Sequence, residues 1–252
     1  MQVYSFLFSP TGGTEKVAAL LEGPFRPVVR VDLSRRDTDL DAVRPEAGDL
    51  CLVSVPSYGG RVPPVAVERI GRLHGGGART LIAVVYGNRA YEDTLLELRD
   101  TLSRQGFAVA AAVAAVAEHS IMHQFGAGRP DSRDAAELER FARQAKAALL
   151  DPGAKEPPLP GSRPYQAFGG LPLRPRANRR CTGCGLCARA CPTGAIPAEA
   201  PASTDAAKCI TCMRCVQLCP NGARSLPGLP LRLAAWKMKK ACGGRKENEL
   251  FL

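Results

Sequence analysis

Short apolar runs alternate with amphipathic stretches along the first 150 residues of the chain. Five apolar runs end at turn residues, which predicts strands over Val3–Phe8, Val28–Leu33, Leu50–Val55, Thr80–Tyr86 and Ala108–Val116. Four longer stretches have the spacing and composition of helices, over Thr14–Glu22, Val65–Leu73, Tyr91–Gln105 and Arg133–Leu150. Because strands that alternate with helices form parallel sheets covered on both faces, residues 1–150 are predicted to be a doubly wound α/β domain.

Three polar, glycine-rich loops follow the first, third and fourth predicted strands. They are "SPTGGT" (Ser9–Thr14), "PSYGGRVP" (Pro56–Pro63) and "YGNRAYEDT" (Tyr86–Thr94). Ligands of open α/β sheets bind beyond the carboxyl ends of the strands, where the strand order reverses, so we expect the loops to converge there. The first loop places hydroxyls and backbone N–H groups before a helix and suits a phosphate, although its residues alone also fit an ordinary turn with a threonine cap. The other two place a tyrosine beside glycines, which suits a flat ring.

In this order the three loops resemble those of the flavodoxin-like family, over roughly residues 1–150. The resemblance implies a doubly wound parallel sheet of five strands that binds flavin mononucleotide (FMN). Position by position, it implies phosphate contacts from Ser9, Thr11, Gly12, Gly13 and Thr14, and ring contacts from Tyr58, Gly59, Gly60, Gly87, Asn88 and Tyr91. Flavodoxins are commonly strongly acidic and this domain is not, so the resemblance does not extend to the choice of partner.

A proline-rich segment at residues 151–177 follows and is expected to be an extended, semi-rigid linker. The next domain, residues 178–226, contains two cysteine frames of identical spacing, "CTGCGLCARACP" (Cys181–Pro192) and "CITCMRCVQLCP" (Cys209–Pro220). Both follow C-x2-C-x2-C-x3-C-P, the spacing in which three cysteines hold one 4Fe-4S cluster and the fourth holds the other. The sequence therefore predicts two 4Fe-4S clusters, one on Cys181, Cys184, Cys187 and Cys219, and one on Cys209, Cys212, Cys215 and Cys191.

Other uses of these cysteines explain less of the pattern. A zinc ribbon leaves the third and fourth cysteines of each frame and the prolines without a role. Disulfides need an oxidising compartment, and no export signal precedes the first strand, so we expect a cytoplasmic protein. Of the two remaining cysteines, Cys51 is expected in the core, and Cys242, in a basic C-terminal tail at residues 227–252, is expected to be a surface thiol.

The cysteine domain resembles bacterial-type ferredoxins, which implies a small α+β fold. The whole chain then resembles prokaryotic fusions of an N-terminal flavodoxin-like domain with a C-terminal two-cluster ferredoxin domain. Segments that carry this resemblance are "YGNRAYEDTLLEL", "AEHSI", "GRPD" and "RKENELFL".

The positive charge lies in the second part of the chain. Residues 151–252 hold 16 of the 34 Lys and Arg residues but 6 of the 24 Asp and Glu residues, and so account for the net charge of +10. Clusters and a flavin phosphate would compensate part of this excess, and the remainder predicts a docking surface for an acidic redox partner. The alternative, a nucleic-acid surface, lacks a helix-turn-helix, zinc-finger or RRM pattern. No apolar run reaches the length of a membrane span.

Clusters transfer one electron each and a flavin transfers one or two, so the leading hypothesis is an electron-transfer protein that acts within one chain or a tight homodimer. The rival is an enzyme that reduces a small substrate at the flavin. Its candidate catalytic residues are His119 and His123, in the loop "AEHSIMHQFGAGRPD" (Ala117–Asp131) after the fifth predicted strand. A third hypothesis leaves the flavin site empty and makes the first domain a docking module.

Overall fold

The computed structural model describes residues 1–169 and 172–252, so Gly170 and Leu171 of the predicted linker lie outside the described residues. The first 150 residues form strands β1 (Val3–Leu7), β2 (Val29–Asp32), β3 (Leu50–Pro56), β4 (Arg79–Tyr86) and β5 (Ala108–Val116), with helices α1 (Gly13–Leu21), α2 (Pro64–Ile70), α3 (Thr94–Arg104) and α4 (Ser132–Leu150). The later elements are β6 (Arg176–Ala177), α5 (Leu186–Ala190), α6 (Arg214–Gln217), β7 (Arg224–Ser225), α7 (Gly228–Cys242) and β8 (Glu249–Phe251).

The main sheet has the strand order β2-β1-β3-β4-β5-β8, and its first five strands are parallel. The order reverses between β1 and β3, which is the flavodoxin-like arrangement and confirms the predicted fold class. One face is covered by α2 and α3, and the other by α1 and α4. Apolar side chains on both faces of β3, β4 and β5 are buried, as expected for a parallel sheet between two helical layers.

The sheet has six strands rather than the five that were predicted. Strand β8 pairs antiparallel with the free edge of β5, with Ala112 opposite Phe251 and Ala114 opposite Glu249. Asn248 fixes this junction, because its side-chain oxygen accepts a hydrogen bond from the Val116 N–H (2.9 Å) and its amide donates to Asp134 (3.0 Å). The segment predicted as a tail is therefore folded onto the first domain. A strand of three residues is too short to show an alternating pattern in the sequence.

The cysteine-containing region is a small α+β unit, as predicted. Strands β6 and β7 pair antiparallel, and the short helices α5 and α6 each follow a residue in the left-handed backbone region, Gly185 (φ 73°) and Met213 (φ 64°). Within the described residues, no helix combines the length and apolar composition needed to cross a membrane.

Candidate functional site

A cavity of about 490 Å³ lies at the carboxyl edge of the parallel strands, where the strand order reverses. Its volume is within the range of sites for small ligands. The structure brings the three predicted loops together around it. Of the residues predicted to bind FMN, those that line the cavity are Thr11, Gly13, Thr14, Tyr58, Gly59 and Gly87.

The first loop ends at the N-terminus of α1, where helices leave their first N–H groups without a partner in the helix. Gly13 and Thr14 are the first two residues of α1, and both line the cavity, so their N–H groups are available to a ligand there. Gly12 adopts a left-handed conformation (φ 85°) that starts the helix, and the Ser9 hydroxyl accepts a hydrogen bond from the Glu15 N–H (3.0 Å). Ser9 and Gly12 thus shape the loop from outside the cavity lining.

A basic side chain of the cysteine-containing unit contacts this loop. Arg214, at the start of α6, donates a hydrogen bond from Nη1 to the Ser9 carbonyl oxygen (3.3 Å). Its Nε is buried and has no hydrogen-bond partner among the described residues. Arg214 lines the cavity of Cys191, Cys209, Cys212 and Cys215 and not the sheet-edge cavity, so its buried donor lies on a side chain that joins this loop to the cysteines and suits an anionic group. The sequence pattern did not point to Arg214, because it lies more than 200 residues away from the loop.

The second loop presents the Tyr58 ring and the Gly59 backbone to the cavity. Gly60, a predicted ring contact, is not part of the cavity lining, and a Cβ on it would overlap the side chains of Glu92 and Gln166, which do line the cavity. Burial raises the pKa of Tyr58, and the charge of the nearby Cys212 raises it further. Tyr58 thus lines the cavity and is near Cys212, a predicted cluster ligand.

Two predicted ring contacts, Asn88 and Tyr91, hold the C-terminal segment and are not part of the cavity lining. The Asn88 amide donates to the carbonyl oxygens of Cys242 and Gly244, both at 2.7 Å. Tyr91 packs on Tyr86 with ring centroids 5.2 Å apart, and its hydroxyl donates to Glu249 (3.1 Å). Their partners lie about 150 residues later in the chain and leave no local signal, so the sequence pattern did not point to these contacts.

The structure separates the two candidate histidines. His119 lines the cavity, and its Nδ1 accepts hydrogen bonds from the N–H groups of Ile121 (3.1 Å) and Met122 (3.3 Å). Burial lowers the pKa of His119 to about 4, with a smaller contribution from the charge of His123. At neutral pH the ring is therefore uncharged, and its proton is on Nε2. His123 is exposed, pairs with Glu118 (2.7 Å) and is not part of the cavity lining.

The linker forms part of the cavity wall, which the sequence did not predict. Gln166, Phe168 and Gly169 line the cavity. Asp93, just before α3, anchors this segment by accepting hydrogen bonds from the N–H groups of Ser162 (2.9 Å) and Gln166 (2.7 Å). The part of the linker around Ser162 and Gln166 is therefore held against the first domain.

Two further cavities each contain one predicted set of cluster ligands. The first is lined by Cys181, Cys184, Cys187 and Cys219, and the second by Cys191, Cys209, Cys212 and Cys215. In each set the cysteine from the other frame accepts a backbone hydrogen bond, from the Ala223 N–H to Cys219 (3.2 Å) and from the Ala195 N–H to Cys191 (3.3 Å). Such bonds stabilise thiolate sulfur, so the donor sets fit 4Fe-4S clusters.

A single metal ion fits these donor sets less well than a cluster. Among the described residues, no three Cys, His, Asp or Glu side chains are grouped closely enough to hold one ion. A cubane cluster has one cysteine on each of its iron corners, so its ligand sulfurs lie farther apart than those around one ion. The geometry therefore disfavours the zinc alternative.

The second cysteine cavity borders the cavity at the sheet edge. Ile210 and Thr211, between the first two cysteines of the second frame, line both cavities. The two units are held together by the buried side chain of Arg69, which donates to the carbonyl oxygens of Leu33 in the first domain and Pro192 in the cysteine-containing unit. The set with Cys209 thus lies next to the sheet-edge cavity.

The two remaining cysteines are both buried. Cys51 lies in the core as predicted. Cys242 was predicted to be a surface thiol, but it is 2% exposed and packs with Met122 and Phe125. The prediction was wrong because α7 returns to the first domain.

Comparisons with known proteins gave matches to separate parts of the chain. The family model described as a 4Fe-4S dicluster domain matches residues 180–223. Solved structures with a similar arrangement include a flavodoxin of Streptococcus pneumonia TIGR4 (17% identity, 58% of this chain, 99% of that chain, TM-score 0.40). Others are oxidised Flavodoxin 1 from Bacillus cereus (16%, 58% and 98%, TM-score 0.41) and an apo NADH:FMN oxidoreductase (17%, 62% and 95%, TM-score 0.43). The comparison with curated proteins gave no match.

The strand order, rather than these scores, carries the assignment of the first domain. The chain joins an N-terminal flavodoxin-like domain to a C-terminal 4Fe-4S ferredoxin-type domain.

Proposed function

We propose that this chain is an electron-transfer flavo-iron-sulfur protein that carries one FMN and two 4Fe-4S clusters. Clusters exchange single electrons and a flavin exchanges one or two, so the bound groups would connect one-electron carriers with two-electron chemistry. The protein's own contribution would be to hold the flavin and one of the clusters next to each other.

The observation that carries this proposal is the wall shared by two cavities. Ile210 and Thr211 line both the sheet-edge cavity and the cavity of Cys191, Cys209, Cys212 and Cys215. The sheet-edge cavity is the one that would hold the flavin. The cluster on this cysteine set would therefore be the inner one.

The chain's own groups would hold the phosphate of FMN at the first loop. The Gly13 and Thr14 N–H groups and the Thr11 and Thr14 hydroxyls supply donors, and Arg214 adds positive charge from the second unit. Tyr58 and Gly59 would lie against the ring.

The other cysteine set would hold the outer cluster, which exchanges electrons with a partner protein. Cys184 is exposed, and so are the basic residues Arg179, Arg180 and Arg189 near it. Arg189 donates to the Cys184 carbonyl oxygen (3.3 Å), which places positive charge beside this ligand. We propose an acidic redox partner at this surface.

The test is anaerobic purification of the full chain, with iron, sulfide and flavin measured on one sample. About eight irons and one FMN per chain are expected for two 4Fe-4S sites and one flavin site. A preparation with full iron but no flavin, which also fails to bind added FMN, would support the docking-module hypothesis instead.

His119 favours a second candidate function, the reduction of a small substrate at the flavin. The ring lies at the cavity, is uncharged at neutral pH and carries its proton on Nε2, from which it could donate to a substrate. Comparing wild type with His119→Gln for reduction of candidate substrates and for transfer to a one-electron acceptor separates the functions. A loss confined to substrate reduction supports the enzyme, and unchanged rates in both assays exclude this role of His119.

A further inference from the structure

Helix α7 has two apolar faces, and the protein covers one of them. The inner face includes Leu231, Ala235 and Met238, which pack with the buried side chains of Met122 and Phe125. Met238 also lines the sheet-edge cavity. This face explains why the helix docks on the first domain.

The outer face carries three large apolar side chains in solvent. Leu229 is 70% exposed, Leu233 is 57% exposed and Trp236 is 74% exposed. Their spacing of four and then three residues places them along one stripe of a helix. Trp236 is also the only tryptophan in the chain. Isolated apolar residues on a surface are common, but a continuous stripe opposite the docked face indicates a contact surface.

Positive charge flanks the stripe. The helix contains Arg232, Lys237, Lys239 and Lys240, all exposed, and no acidic residue. The ion pairs at the C-terminal end of the chain use Arg245 and Glu247 instead, and within residues 1–169 and 172–252 none of the four basic side chains of α7 forms an ion pair. At 100° per residue, Arg232 and Lys239 lie on one side of the stripe and Lys237 on the other, with Lys240 in line with it.

A surface groove runs beside the stripe, between α7 and the loop that contains Gln124. It is lined by Gln124, Arg232, Trp236 and Lys239, among others. Two cations next to an indole ring suit a phosphate group whose neighbouring chain is apolar. The groove and the stripe thus suit the same kind of ligand, an anionic head group joined to apolar chains.

We propose that α7 rests on the surface of a membrane that contains anionic phospholipids. The helix would lie parallel to the surface with Leu229, Leu233 and Trp236 among the lipid chains and the basic residues at the head groups, as interfacial helices do. The stripe is convex and has cations on both sides, which fits a flat anionic surface. A second copy of α7 would bring like charges together. This proposal does not depend on the electron-transfer function.

The test uses the purified full chain with its cofactors and vesicles of phosphatidylcholine with or without phosphatidylglycerol. We expect the protein to sediment with the anionic vesicles only, and the emission of Trp236 to shift to shorter wavelength as it does so. Leu233→Gln should weaken the binding about tenfold or more, because it removes an apolar side chain from the lipid contact.

The matched control is Leu150→Gln, at the end of α4, where the replaced leucine is 50% exposed. Both variants keep the net charge, so general attraction between a basic protein and anionic lipid is the same in each. Equal binding of both variants, or no preference of the wild type for anionic vesicles, would overturn the proposal. The wild type could instead self-associate, or bind an acidic protein, through this face without binding lipid. In that case the stripe of Leu229, Leu233 and Trp236 binds a protein, and the proposal is also wrong.

Discussion

The guanidinium of Arg214 and the backbone carbonyl of Ser9 join the two units of this chain at a distance of 3.3 Å. Arg214 lies between two cysteines of the inner set and lines their cavity, while Ser9 begins the loop at the N-terminus of α1. One side chain therefore contacts the surroundings of both proposed cofactor sites. Its buried Nε has no partner among the described residues, which leaves a donor for an anion.

The first prediction concerns this contact. The residue of the first cysteine frame that corresponds to Arg214 is Leu186, so Arg214→Leu introduces a side chain that the repeat already carries. Removing a charged donor to an anion costs about 1 to 3 kcal/mol, and we expect FMN to bind roughly 5- to 150-fold more weakly. Titration of the flavin-free protein with FMN measures this. Arg189→Leu is the control, and an equal loss in both variants would contradict the assignment.

The second prediction concerns the hydroxyls of the first loop. Changing Thr11 and Thr14 to Val keeps the shape of both side chains and removes two donors that line the cavity. Each donor to a charged acceptor contributes roughly 1 to 3 kcal/mol, so the double variant is expected to release FMN while its iron and sulfide contents stay unchanged. Unaltered FMN affinity in this variant would show that the phosphate lies elsewhere.

How far the sequence predicts this molecule depends on how local each signal is. The cysteine frames and the loops that follow β1, β3 and β4 are defined by neighbouring residues, and the structure places most of them around three cavities. Asn88 and Tyr91 sit in a loop with the expected composition, yet their partners Cys242, Gly244 and Glu249 come from a segment that folds back over the sheet. Periodicity carries no information on such distant pairing.

The same limit applies inside the second frame. Gly183 and Gly185 of the first frame have positive φ values of 71° and 73°. Their counterparts in the second frame, Thr211 (φ 54°) and Met213 (φ 64°), adopt the same region without being glycine. The Thr211 hydroxyl donates to the Leu173 carbonyl oxygen (2.8 Å), so this side chain ties the linker to the loop beside the sheet-edge cavity. The repeat predicts the shared backbone, whereas the reason for a threonine appears only in the fold.

The third prediction tests whether the fourth cysteine of each frame binds the cluster of the other frame. Cys191 follows the first three cysteines in sequence but lines the cavity of Cys209, Cys212 and Cys215. Replacing Cys191 by Ala should therefore damage the cluster of the second frame. Electron paramagnetic resonance of the reduced variant, with each signal assigned from other single-cysteine variants, shows which cluster changes. Loss of the signal that belongs to Cys181, Cys184 and Cys187 would refute the ligand scheme.

The fourth prediction is a pH dependence of stability caused by His119. The pKa of this ring is lowered to about 4 by burial, whereas an unfolded histidine has a pKa of about 6.5. Between these values the unfolded chain binds a proton that the folded chain does not, so the free energy of unfolding falls as the pH falls from about 6.5 to about 4. The full effect of such a shift is roughly 3 kcal/mol.

Urea unfolding at several pH values measures this effect in the wild type and in His119→Gln. The variant should lose less stability than the wild type across that window. His123→Gln removes an exposed histidine from the same loop and serves as the control. The same loss of stability in the wild type and in His119→Gln would mean that the buried ring is not its source.

The last prediction is that electrons pass between the two units within one molecule. The linker is held by Asp93 and lines the sheet-edge cavity, Arg69 bridges the units, and the wall of Ile210 and Thr211 separates the proposed flavin from the inner cluster. Electron exchange between the sites should then be a first-order process within one molecule. After rapid mixing with a limiting amount of a low-potential one-electron donor, the redistribution between cluster and flavin absorbance should proceed at a rate that does not change with protein concentration. A rate that rises in proportion to concentration would mean that electrons pass between molecules by collision, and that the packing of the two units does not serve electron transfer.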